Sequence, residues 1–95
     1  MIYLISVLST DGSRYRVWGY YHDRDAAGRC VVENWSDIFE RGHYGYAIVS
    51  AMGEGPLAIP EDQEWYGATF DENGMLTGVA DIIVPKEFAQ TSFGF

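Results

Sequence analysis

The sequence predicts an α+β fold: an antiparallel sheet of four to five strands with one main helix packed on one face, in the order β-β-α-β-β-β. Three observations predict it. Runs rich in β-branched and aromatic residues recur at 2–8, 14–21, 44–51, 64–70 and 75–80. Hairpin turn signals stand at Asp11-Gly12 and at Asn73-Gly74. A single helical pattern, residues 24–34, follows Asp23.

Each element has its own warrant. IYLISVL at 2–8 is almost unbroken by polar residues, as expected of a central strand. Strict alternation over RYRVWGYY, 14–21, sends Trp18 and Tyr20 one way and Tyr15, Val17 and Tyr21 the other. Asp23 is a suitable N-cap, and Ala27, Cys30, Val31 and Asn34 have helical spacing, with Asp25 and Arg29 four apart. Gly28 weakens this helix by about 1 kcal/mol relative to Ala unless it serves a close approach to the sheet. Ser36 and Asp37 divide the pattern, leaving a short helical turn at 37–41 closed by Gly42. The Gly- and Pro-rich stretch 53–60 reads as a loop with a strand fragment at 57–59. Pro85 starts a helical turn at 85–89, and the aromatic tail TSFGF is expected to pack on the sheet.

Composition bounds the function. The 95 residues form one domain, 1–95, large enough to bury roughly 65% of the unfolded surface. A net charge of −8 argues against direct nucleic-acid binding, which needs a basic face. No apolar run is long enough for a membrane span, and MIYLISVL lacks the flanks of a signal peptide. Cys30 is the single cysteine, which excludes an intramolecular disulfide and fits a reducing, cytoplasmic setting.

The charge is unevenly placed. Residues 1–41 carry five arginines against six acids, whereas residues 42–95 carry only Lys86 against eight acids. Between Gly42 and Pro85 no Lys or Arg occurs, so those carboxylates must pair with arginines of the first half or with another molecule. One reading is a solubilising surface. The sharper one is an acidic face that docks on a basic protein surface: Glu54, Glu61, Asp62, Glu64, Asp71 and Glu72 supply charge, and Trp65 and Tyr66 a desolvated centre. Fifteen aromatic residues, more than one small core fully buries, support a contact role.

No catalytic pattern emerges. His22 and His43 meet only if the exit of the second strand and the entry of the third share one sheet end, and Cys30 is the only available thiolate. Cys30 lies mid-helix, where a small core residue is expected rather than a nucleophile. The acids occupy loops and turns, where solvent keeps carboxylates ordinary, and no phosphate loop, serine elbow or HExxH is present. A non-enzymatic protein without cofactor or metal is expected.

Several stretches together, R-x-W-G-Y-Y at 16–21, Ala26, Ala27 and Val31, E-N-W-S-D-I-F-E at 33–40, Y-x-Y-A-I-V at 44–49 and Trp65-Tyr66, resemble a family of small bacterial proteins. Many of these are encoded in prophages and mobile elements. The resemblance spans residues 14–70 and its motifs are structural, so it carries over no functional residue. By analogy with small acidic phage proteins, it implies an inhibitor of a host defence system, of anti-CRISPR type, that blocks a basic nucleic-acid-handling surface. Two alternatives stand beside this expectation. One is an assembly module that forms a homodimer or joins a complex through edge strands and surplus aromatics. The other is a protein that sequesters a small nucleotide signal in a pocket lined by Trp18, Tyr20, His22 and His43.

Overall fold

The computed structural model describes residues 1–53 and 62–88. Five antiparallel strands, β1 (Ile2–Leu8), β2 (Tyr15–Tyr21), β3 (Tyr46–Met52), β4 (Asp62–Phe70) and β5 (Leu76–Ile82), form one sheet in the order β2-β1-β3-β4-β5. One helix, α1 (Arg24–Val32), and 3₁₀ turns at Glu40–Gly42 and Lys86–Phe88 complete the described elements, an α+β fold. Glu54, Glu61, the strand fragment expected at 57–59 and the tail TSFGF lie outside the described residues.

The continuous apolar runs of β1 and β3 reflect burial on both faces. On the helix side, Ile5, Val7, Ala47, Val49 and Tyr66 pack with Ala27, Cys30 and Val31 of α1 and with Ile38 and Phe39. On the far side, Leu8, Ile48, Trp65 and Phe88 form a second cluster, bordered by Tyr46 and Ile82. Phe88 stacks on Trp65 with ring centroids 6.2 Å apart, and Tyr46 meets both rings edge-on. Each such fully buried side chain contributes about 1.5–3 kcal/mol. The 3₁₀ turn after Pro85 therefore matters because it delivers Phe88 beneath the sheet. Gly12, with φ +77 in the β1–β2 turn, leaves the space this ring fills: a Cβ there would stand 2.8 Å from the Phe88 ring.

Strand β2 does not alternate strictly. Ser6 faces Val17 and Ile5 faces Gly19, so Trp18 is an extra residue, a β-bulge. Trp18 and Tyr21 consequently pack toward the helix, while Tyr20 lies opposite Leu4 on the far side with Tyr15 and Val17. The bulge thus separates Trp18 from Tyr20, which alternation alone put together.

Helix α1 starts as expected and stops earlier. The Asp23 side chain accepts a hydrogen bond from the Asp25 N–H at 3.1 Å. At the other end Asn34 takes a left-handed conformation (φ 52), Trp35 N–H bonds the Cys30 carbonyl and Asn34 N–H the Val31 carbonyl. This is a Schellman ending, with Asn where Gly is commonest. Ser36, Asp37, Glu40 and Arg41 are left-handed too, with φ between 47 and 55, so the turn expected at 37–41 is not a right-handed helical one. Ile38 and Phe39, both fully buried, anchor this segment to the core, where Phe39 meets Phe70 edge-on. Burial of these two side chains offsets the backbone strain.

Candidate functional site

The groove with most chemistry runs between α1 and the β4–β5 hairpin, an open cleft of about 670 Å³. Asp23, Asp25, Arg29 and Val32 line it from the helix side, Glu64 and Tyr66 from β4, and Asp81 from β5. Gly28 lies on its floor, where a Cβ would stand 3.4 Å from the Tyr66 hydroxyl, an ordinary contact, so the approach of helix to sheet here does not depend on the glycine.

Arg24, in the first turn of α1, closes one end. Its guanidinium donates to Asp62 Oδ2 at 2.8 Å and contacts Glu64 Oε1 at 2.9 Å, while lying 5.6 Å above the centre of the Tyr3 ring. The second Glu64 oxygen accepts from the Tyr66 hydroxyl at 2.9 Å. Both Glu64 oxygens are therefore engaged within the chain. The Arg24 guanidinium, and after it the Gln63 N–H, hold the Asp62 carboxyl below its ordinary range. Burial, followed by the Glu64 carboxylate, pushes the Tyr66 phenol well above its ordinary range, so it stays a neutral donor.

The acids expected to form one face are distributed otherwise. Asp62 and Glu64 are bound by Arg24, one of the first-half arginines the sequence left as candidate partners. Asp71 caps the β4–β5 turn, its Oδ1 accepting the N–H groups of Asn73 and Met75, each at 2.9 Å. Glu72 is exposed at that turn, at the opposite end of the hairpin from the groove. Trp65 and Tyr66, expected at the centre of a contact, are 4% and 5% exposed. Adjacent strand residues point to opposite faces, so one enters the far-side cluster and the other lies under the helix. They are core residues.

Three groove residues escaped the sequence reading as a site. Asp23 and Asp25 were legible only as a cap and as half of a helical pair. Asp81 lies opposite Tyr66 in the hairpin register, which counting back from the Asn73-Gly74 turn approximates.

Other expected constellations do not assemble. Tyr3 pairs with Tyr21 at the exit of β2, and Leu8 with Tyr46 at the entry of β3, so His22 and His43 belong to opposite ends of the sheet. His22 meets Tyr20 edge-on and His43 meets Tyr44 edge-on. The pocket drawn from Trp18, Tyr20, His22 and His43 is therefore not formed. Cys30 is fully buried, accepts a long hydrogen bond from the Tyr21 hydroxyl at 3.6 Å, and has its thiol pushed up by burial. Among the described residues no group of three or more His, Cys, Asp or Glu is placed to hold a metal ion, and no helix is long and apolar enough to cross a membrane. No family model matches the chain, nor does any curated protein or solved structure.

Proposed function

We propose that this chain is a non-enzymatic binding protein that offers an acidic groove to a basic surface on a protein partner. One observation carries the reading: among the described residues, the groove between α1 and the β4–β5 hairpin sets the carboxylates of Asp23, Asp25, Glu64 and Asp81 against only Arg24 and Arg29, and Arg24 is already engaged by Asp62 and Glu64. A cationic side chain entering there meets more negative charge than the chain itself neutralises. Basic surfaces of this kind are what nucleic-acid-handling proteins use to grip phosphates. With the resemblance to prophage-encoded proteins, this supports an inhibitor of a host defence factor, anti-CRISPR-like in action, that occupies the partner's nucleic-acid path.

The test replaces Asp25 and Asp81 with Lys, since neither forms an ion pair among the described residues. Labelled nona-arginine, followed by fluorescence anisotropy, should bind the wild type and weaken as salt rises from about 50 to about 300 mM. The double reversal should weaken binding by about tenfold or more while lowering stability by no more than about 1–2 kcal/mol, the cost of a cation in the first turn of α1 four residues before Arg29. Glu72→Lys should have little effect. Equal binding by wild type and double reversal defeats the reading. On the biological side, an RNA-guided host nuclease should lose DNA binding on addition of the wild type and retain it with the double reversal.

A further inference from the structure

The sheet ends at β5 on one side, and among the described residues this strand pairs only with β4. Its register shows which backbone groups are left over. Ala68 N–H donates to the Gly45 carbonyl at 2.9 Å, so the polar backbone of Ala68 points toward β3. In an antiparallel ladder the residue opposite then turns its own N–H and C=O outward. Val79 is opposite Ala68 and Asp81 opposite Tyr66, so both present a donor and an acceptor on the free edge. Gly78 and Ala80, between and beside them, bond inward to β4 and are exposed.

Open edges are commonly blunted by bulges, charge or a covering segment. Strand β2, the opposite edge, carries its bulge at Trp18, in mid-strand. In β5 the irregularity sits at Thr77, leaving Gly78–Ile82 as a regular run. On the helix side of this run, Val32, half exposed, and Asp25 stand across the groove from Asp81. On the other side lie the small residues Gly78 and Ala80, and just beyond the strand Ile83 is 92% exposed.

From this we infer that β5 is a docking strand. An extended, basic segment of the partner adds to the sheet as a further strand, its main chain bonded to Val79 and Asp81. Alternate Lys or Arg side chains enter the acidic groove, and the side chains between them rest over Gly78 and Ala80. The proposal rests on the reading above, that the groove receives a cationic partner. Charge selects the occupant: Asp25 and Asp81 favour a basic strand and repel an acidic one, including a second copy of this acidic chain.

The test uses the intact wild-type protein and a synthetic peptide, Lys-Thr-Lys-Val-Lys-Thr-Lys. Amide hydrogen exchange read by NMR should show the Val79 and Asp81 N–H groups slowed about tenfold or more at saturating peptide. The same peptide with Pro at its centre should bind about tenfold more weakly, as should a Val79→Pro variant, which removes an outward N–H without touching the β4 pairing. Binding without protection of these two amides, or with no penalty for the central Pro, overturns strand addition and leaves the cationic reading intact. Equal binding of the peptide with Glu in place of Lys overturns the cationic reading while the added strand stands. Protection that appears without peptide and grows with protein concentration overturns the proposal in favour of self-pairing.

Discussion

Asp11 shows how a local cluster of donors sets one residue's chemistry. A single carboxylate oxygen accepts from Ser9 Oγ at 2.8 Å, Ser13 N–H at 2.9 Å and Ser13 Oγ at 2.7 Å, inside the turn that joins β1 to β2. The two Ser13 donors first, then Ser9, hold its pKa at about 2. Since the folded value lies below the unfolded one, Asp11 stabilises the fold at pH values above about 4, and that contribution disappears as pH falls toward about 2. An NMR titration should find the Asp11 carboxyl ionising near pH 2, and Asp11→Asn should flatten the fall in melting temperature between about pH 4 and about pH 2. Asp11 was readable in advance as a turn former, because Asp-Gly is a local signal. The bonds between Arg24 and the acids of β4 were not. Arg24 and Asp62 are 38 positions apart, and only the folded sheet brings them together. The same limit explains Trp65 and Tyr66, whose aromatic character fits a contact surface and a core equally well until the strand's two faces are assigned.

At the scale of elements, the strands were legible because alternation and turn residues are short-range features. Helix α1 was legible at its beginning, where Asp23 announces a cap, and not at its end, because Asn34 reads as a helical position as readily as a left-handed terminator. The segment after it, with Asn34, Ser36, Asp37, Glu40 and Arg41 all left-handed, has no glycine before Gly42 to betray it. Ser36 is exposed and left-handed at φ 55, so Ser36→Gly should stabilise the protein by about 0.5–1 kcal/mol, read as a higher urea midpoint at unchanged slope. A lower midpoint would mean that flexibility gained by the unfolded chain outweighs relief of strain. The latch formed by Arg24 also decides which acids are informative. Lys in place of Asp62 and Glu64 would set two cations beside Arg24 and loosen α1 from β4, which confounds docking with folding. Asp25 and Asp81 form no ion pair among the described residues, so their reversal leaves the link between α1 and β4 intact.

For the molecule as a whole, the competition is between self-repulsion and ion pairing. Net charge is −8, and the ion pairs of the described residues, Arg16 with Glu40 and Arg24 with Asp62 and Glu64, all involve partly exposed side chains. Exposed pairs are worth little and are screened by salt, whereas an excess of like charge opposes compaction throughout the fold. Repulsion should win: raising NaCl from about 20 to about 500 mM should increase the melting temperature by about 2–5 °C, measured by calorimetry. A fall would mean that the ion pairs outweigh the repulsion.

The extra residue at Trp18 acts as a phase shift in β2. Before it, odd-numbered residues point away from the helix; after it, Tyr20 does so and Tyr21 turns inward to bond Cys30. Deleting Trp18 would restore unbroken alternation and leave Tyr20 and Tyr21 facing as they do, whereas one residue inserted between Gly19 and Tyr20 would swing Tyr20 under the helix and Tyr21 into water. What this edge guards is its phase, and a single insertion between Gly19 and Tyr20 should harm it more than most exchanges of one aromatic ring for another.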